Sequence, residues 1–246
     1  GNIEFNAKYP DDIFDKTAMK RLNVLNSCKN YGIKKVVVPL ASCAYPDCDL
    51  LYEWEFDKGP PNKTVEAHGL AKRIVFDYAR QLYKQYQYNA VSIIFNTSYG
   101  PYDSFDVDKT KVVGGLINKF CSAQKEKLLS VECWGSGNVR REFIYCDDAA
   151  EALVQALEKY DDPTSVLNVG TGTDNIVKEL AELISQIIGY EGEIIWNTDK
   201  PDGQYRKLLI PTKMSEYIDI EFTPIKVGLT KTIEWYKNEK TTSRML

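Results

Sequence analysis

The chain has 246 residues, 43% of them hydrophobic, and a formal net charge of −4. Lysines and arginines are interspersed with acids, which excludes the clustered basic face of a nucleic-acid binder, and no run of about 18 apolar residues is present to span a membrane. The N-terminus shows no basic-then-apolar secretory pattern, so a cytoplasmic protein with one large core or two small lobes is expected.

In chain order, Ile13, Phe14, Ala18, Leu22, Leu25 and Cys28 recur at helical spacing, which predicts a helix over residues 11–31 that stops at Gly32. Residues 35–40 form a short apolar run of the kind buried on both sides in a parallel sheet. A second long helix over 65–86 and a strand over 90–95 complete an alternation that implies βαβ units. Beyond Gly100-Pro101 the pattern predicts a helix over 112–123, a strand over 129–134 and a helix over 147–160 opened by the paired acids Asp147 and Asp148. A strand over 166–170, a helix over 176–188, a strand over 193–196 and a last helix over 227–238 follow. The fold class is therefore α/β: a truncated Rossmann-like parallel sheet in residues 1–102, with a smaller substrate lobe in 103–246 interleaved with it. The six cysteines have no C-x-x-C spacing and are expected to be reduced, and a single histidine with no ligand cluster argues against zinc.

Several segments carry more than secondary structure. Ala41-Ser-Cys-Ala-Tyr-Pro46, His68-Gly-Leu-Ala-Lys72 and the strand ending Phe95-Asn-Thr-Ser-Tyr-Gly100 occur in that order. Further on stand Gly100-Pro-Tyr-Asp-Ser-Phe-Asp106, Trp134-Gly-Ser-Gly137 and Arg141-Glu-Phe-Ile-Tyr-Cys-Asp-Asp148. Asn168-Val-Gly-Thr-Gly172 and Lys200-Pro-Asp-Gly-Gln-Tyr-Arg-Lys-Leu-Leu209 complete the set. A dinucleotide site needs a glycine-rich strand-to-helix turn that lets backbone approach pyrophosphate. No such turn stands near the start, and Gly170-Thr-Gly172 lies too late and lacks the third glycine.

The ordered set resembles the GDP-L-fucose synthases, NADP-dependent epimerase/reductases within the extended short-chain dehydrogenases/reductases, from about Tyr9 to Asn238. The match corresponds to the part of those proteins beyond their fourth strand. It implies an NAD(P)-binding fold, a GDP-sugar substrate and NADP as cofactor, although these residues without a glycine-rich loop are expected to bind no NADP alone. The resemblance places Lys72 and Asn96 on the cofactor side and Cys43, His68 and Lys72 at the reacting carbons. Three replacements weaken that chemistry: Ala41 stands for the orienting Ser, His68 for the general-acid Tyr and Lys111 for the His that partners Cys43. Losing an oxyanion donor costs roughly 10²–10³ in rate. The substrate side is better kept, with Lys119, Trp134, Arg141, Asp202 and Lys207 in matching positions, and Arg and Trp suit a nucleoside diphosphate.

Each assignment has a plainer counterpart. His68 can be an incidental helix residue, Cys43 and Lys72 relics, Trp134 core packing, Arg141 a surface salt bridge and Lys111 a solvated charge. The expected function is a GDP-sugar-binding protein impaired or inactive as a reductase. Two alternatives stay open: a working NADP-dependent epimerase/reductase whose N-terminal part lies outside this chain, and a non-catalytic accessory subunit. The two first long helices correspond to those through which the family dimerises, so a homodimer or hetero-oligomer is expected.

Overall fold

The computed structural model describes residues 8–106 and 110–242. Three strands, β1 (Lys35–Ala41), β3 (Asn89–Phe95) and β8 (Val166–Val169), form a parallel sheet with β3 in the middle, Lys35 opposite Asn89 and Ser92 opposite Val166. The strand between them in sequence, β2 (Leu50–Tyr52), joins a different sheet.

Side chains of β3 alternate between the two faces of the sheet around which the first core is built, as the period of two requires. Ala90 and Ile94 pack with Val75, Phe76, Ala79 and Leu82 of α2 (Glu66–Tyr86) and with Leu25 of α1 (Pro10–Asn30). Val91, Ile93 and Phe95 point the other way, onto Ala149, Ala152 and Ala156 of α4 (Cys146–Lys159). The sheet thus has helices on both faces, which is why its strands read as continuous apolar runs.

The remaining elements build the second core. It gathers α3 (Val112–Glu126), α5 (Val177–Ile188), α6 (Ile225–Thr242) and the parallel pair β5 (Ser130–Trp134) and β10 (Glu193–Asn197) around Ile117, Phe120, Ile184 and Leu229. Short strands β4 (Thr97–Tyr99), β6 (Arg140–Arg141), β7 (Phe143–Tyr145), β9 (Asn175–Ile176) and β11 (Arg206–Ile210) stitch the two cores together: β4 pairs with β7, and β11 lies between β2 and β6.

The long helices and strands fall within a few residues of the sequence pattern, and Gly32 at φ +70° follows α1 as expected. One expectation is corrected. Asp147 and Asp148 do not cap α4: Tyr145 holds the N-cap position with no side-chain cap bond, and both acids lie in the first turn. Asp148 instead accepts from the Thr223 backbone N–H and hydroxyl, each at 2.8 Å, tying α4 to the approach of α6. No helix among the described residues is long and apolar enough to cross a membrane.

Candidate functional site

One cleft of about 660 Å³ opens where β1, β3 and α2 meet the second core. Its wall at the sheet carries Ala41, Cys43, His68, Lys72 and Asn96, and its opposite wall carries Trp134, Arg141, Asp202 and Lys207. All the singled-out residues except Lys119 therefore share one space.

The sheet-side wall is fixed by buried polar bonds. Tyr45, fully buried against Phe56, donates to Asn168 Oδ1 at 2.7 Å, and the same amide donates to Leu51 O at 2.7 Å. Arg73 of α2 donates to Ala44 O and Gly59 O. Together these hold the turn containing Cys43 against α2, from which His68 and Lys72 project one helical turn apart. Lys72 is only 5% exposed and its Nζ donates to Pro39 O at 3.4 Å.

The opposite wall is explained by strand alternation. β6 and β11 pair in register, Arg206 opposite Arg140 and Lys207 opposite Arg141. Arg140 and Arg206 are consumed by Asp174, at 2.6 Å and 2.5 Å, while their neighbours Arg141 and Lys207 line the cleft. Arg141 makes no carboxylate ion pair among the described residues; its NH1 donates to Arg140 O at 2.7 Å and Tyr205 O at 3.2 Å, which sets the plane of the guanidinium.

Asp202 accepts from the Ser136 backbone N–H at 2.7 Å and hydroxyl at 2.8 Å, joining the Lys200-Pro-Asp-Gly loop to the turn after Trp134. That turn needs glycine, because Gly135 has φ +83° and a Cβ there would stand 2.3 Å from Asp202 Oδ1. Trp134 is 44% exposed, so it is not core. Its ring lies 5.1 Å from Lys119 Nζ and 4.8 Å from Lys200 Nζ, both within cation–π range. Lys119 thus reaches the site through Trp134, with its ammonium donating to Glu132 O at 2.8 Å.

Electrostatically the cleft is lopsided. Among the described residues, Arg21, Lys72, Lys111, Arg141 and Lys207 line it against the single carboxylate of Asp202. Burial, then the cations of Lys72, Arg21 and Lys111, pushes His68 down from 6.5 to about 4. Burial and Arg21 push Lys72 down to about 8, with Cys43 opposing. Burial raises the Cys43 thiol in spite of Lys207, Lys72 and Lys111, so Cys43 is a protonated thiol at neutral pH. Burial likewise lowers Lys207 and Arg141, the latter remaining a cation.

His68 is the chain's only histidine, so its titration can be followed without assignment. Its imidazole proton signals should titrate with a midpoint near 4 rather than 6.5; a midpoint above 6 would refute this electrostatic picture. Because the folded value is depressed, the neutral form is favoured by folding. Stability should be intact above pH 6.5 and fall as pH drops towards 4, by on the order of 3 kcal/mol at about 1.4 kcal/mol per unit.

Two residues of the site are missed by the motif reading. Arg21 follows Ala18 by three and precedes Leu25 by four, so it is a cation on the buried stripe of α1, and that position was the available signal. Glu142 is 1% exposed and accepts from Asn96 Nδ2 (2.5 Å), Leu209 N (3.1 Å), Gly172 N (3.0 Å) and Thr171 Oγ1 (3.3 Å). Asn96 Nδ2 also donates to Lys207 O at 3.3 Å, so its amide nitrogen braces the cleft floor. Lys111 is exposed and also lines the cleft.

The residues present fit only part of a dinucleotide. Lys72 can face a nicotinamide ribose, but in the Gly170-Thr-Gly172 turn the Gly172 N–H and the Thr171 hydroxyl already donate to the Glu142 carboxylate, which occupies the donors a pyrophosphate would need. No hydride step follows from these residues.

A parallel sheet with helices on both faces and a cleft at its strand ends is the arrangement of the α/β proteins that take their ligands at the carboxyl ends of the strands. Residues 1–170 match the NAD dependent epimerase/dehydratase family, and the chain belongs to it. Relatives include GDP-L-fucose synthases: the "Putative GDP-L-fucose synthase 2" of Arabidopsis thaliana is 34% identical, covering 96% of this chain and 72% of its own length. A GDP-6-OMe-4-keto-L-xylo-heptose reductase of C. jejuni superposes with a TM-score of 0.88 at 26% identity, over 97% of this chain and 80% of that one. A GDP-D-glycero-L-gluco-heptose synthase of Campylobacter jejuni, solved in the presence of NADPH, gives 0.80 at 26% identity, over 95% and 78%.

Proposed function

We propose that this cleft binds a GDP-sugar and that the chain is impaired as a reductase and epimerase. The observation that carries the binding half is the set of cations lining one cleft with no carboxylate ion pair to any described residue, beside the exposed indole of Trp134. Cations with no carboxylate ion pair among the described residues, in a half-buried space, ask for an anionic ligand, and a diphosphate matches the guanidinium fork of Arg141.

The impairment follows from the sheet-side wall. Ala41 has no donor, Cys43 is a protonated thiol, and His68 is a neutral imidazole at pH 7 whose N–H is a weak acid. A keto oxygen placed there meets neither a hydroxyl at position 41 nor a phenol at position 68 to donate to it as charge develops, and the Lys72 ammonium already donates to Pro39 O.

Calorimetric titration of the purified chain tests the reading, with GDP-mannose or GDP-fucose in one series and NADPH in another. Uptake of the GDP-sugar without NADPH is the expected result. Uptake of both would revive the working enzyme, and uptake of neither would leave an accessory subunit. The chain carrying Ala41→Ser and His68→Tyr together should still give no NADPH oxidation with the keto-sugar; measurable turnover would show that the 246 residues do assemble a cofactor site. Exposed Met19 and Val24 on α1 and Leu70 and Ile74 on α2 support pairing of two copies or a partner over these helices. Sedimentation should accordingly return more than a monomer.

A further inference from the structure

The cations of the cleft exceed what a diphosphate needs, and they are not evenly spread. Arg141 sits beside Tyr205 and Asp202, on the wall of β6. Arg21, Lys72 and Lys111 lie instead around His68, and Lys72, Lys111 and Lys207 around Cys43. These four come from α1, α2, the entry to α3 and β11, and all line the same cavity. None forms an ion pair with a carboxylate among the described residues. Among the described residues, the acids facing the group are Asp202, already bonded to Ser136, and Asp47, which acts on Lys207 from a distance.

We propose that Arg21, Lys72, Lys111 and Lys207 form a second anion subsite at the Cys43–His68 end of the cleft, which selects GDP-sugars whose hexose carries a carboxylate. The proposal rests on the GDP-sugar reading above and deepens it. The local donor set favours an anion over a neutral carbonyl: the hydroxyl-type donors are missing at Ala41 and His68, whereas charged donors flank both positions. Hydrogen bonds from ammonium or guanidinium groups to a carboxylate are roughly twice as strong as neutral ones. A neutral sugar in that place would leave these cations facing each other; burial first, and then the repulsion from Arg21 and Lys111, already depresses both His68 and Lys72. A carboxylate bound between them would relieve that repulsion, so ligand uptake should raise the midpoint of His68.

The test compares three ligands by calorimetry at physiological salt: GDP, GDP-mannose and GDP-mannuronate, whose hexose carries a C6 carboxylate. The wild-type chain should bind GDP-mannuronate at least about tenfold more tightly than GDP-mannose, as charge-assisted bonds imply. Arg21→Gln with Lys111→Gln should shrink that ratio to within about threefold. Lys111 is exposed, so Lys111→Gln alone keeps the test available if the double variant does not fold, and it should lower the ratio part of the way. Equal wild-type affinities for the two sugars, or a ratio that both variants leave intact, would overturn the acidic subsite while the GDP-sugar reading stands. Failure of all three ligands to bind would overturn that reading itself, and the subsite with it.

Discussion

Replacing Arg141 by alanine is expected to weaken GDP-mannose binding by about a hundredfold, since two charge-assisted hydrogen bonds to a diphosphate contribute on the order of 3 kcal/mol. The guanidinium is half-buried, free of carboxylate partners and oriented by the carbonyls of Arg140 and Tyr205. Its fork is preorganised before ligand arrives. Arg141→Lys keeps the charge and loses the fork, so about tenfold should be lost instead. The neighbouring Arg140 provides the contrast: it is spent on Asp174, so its replacement should cost stability while leaving the cleft's own donors in place. Calorimetry on the alanine and lysine variants checks the series. An Arg141→Ala affinity within threefold of wild type would remove Arg141 from the diphosphate site.

Glu142→Ala should be the most damaging single substitution to the fold. Four donors converge on this carboxylate from β3's end, β11 and the Gly170-Thr-Gly172 turn, and truncation leaves them without their acceptor. At about 1–3 kcal/mol for each buried group left unsatisfied, a loss of about 5 kcal/mol is expected after partial relaxation. That is a large share of the roughly 5–15 kcal/mol by which domains are stable. Glu142→Gln turns one acceptor into a donor facing donors and should cost about half as much. Burial pushes the Glu142 carboxyl up and the four bonds pull it back, so the site works as a closed polar knot with no spare acceptor. Gly170 belongs to the same knot, because a Cβ there would lie 2.5 Å from Glu142 Oε1. Urea unfolding followed by circular dichroism measures the effect, and a Glu142→Ala chain within about 1 kcal/mol of wild type would refute the assignment.

The long elements were legible because burial on a sheet or helix face imposes a period on the sequence. β1, β3, α1, α2 and α5 carry it plainly. The short strands β2, β4, β6, β7, β9 and β11 were not foreseen: two to five residues cannot display a period, and tertiary pairing rather than local pattern holds them. Most of the cleft was found through motifs, since Cys43, His68, Lys72, Trp134, Arg141, Asp202 and Lys207 sit in recognisable segments and do meet in space. Arg21 and Glu142 escaped for opposite reasons. Arg21 lies in an ordinary helical stretch where only its place on the apolar stripe betrays it. Glu142 stands inside a motif but beside Arg141, which drew the functional reading to itself. The Arg140-Arg141 and Arg206-Lys207 pairs could not be apportioned between ion pair and cleft until strand register was known.

The bonds that pin the sheet-side wall join residues far apart along the chain: Tyr45 to Asn168 across 123 positions, Asn96 to Lys207 across 111 and Gln204 to Cys48 across 156. Each closes a very large loop, whose entropy must be met before the bond forms. Helix pairing of α1 with α2 and the β1–β3 ladder, with Lys35 opposite Asn89, close shorter loops, so they can assemble first, while the cleft is a later seam between segments distant in sequence. Amide protons along β11 should therefore be released only by opening of that seam, making hydrogen–deuterium exchange at Leu208 and Leu209 a clock for the moment at which a newly made chain first becomes able to hold a ligand.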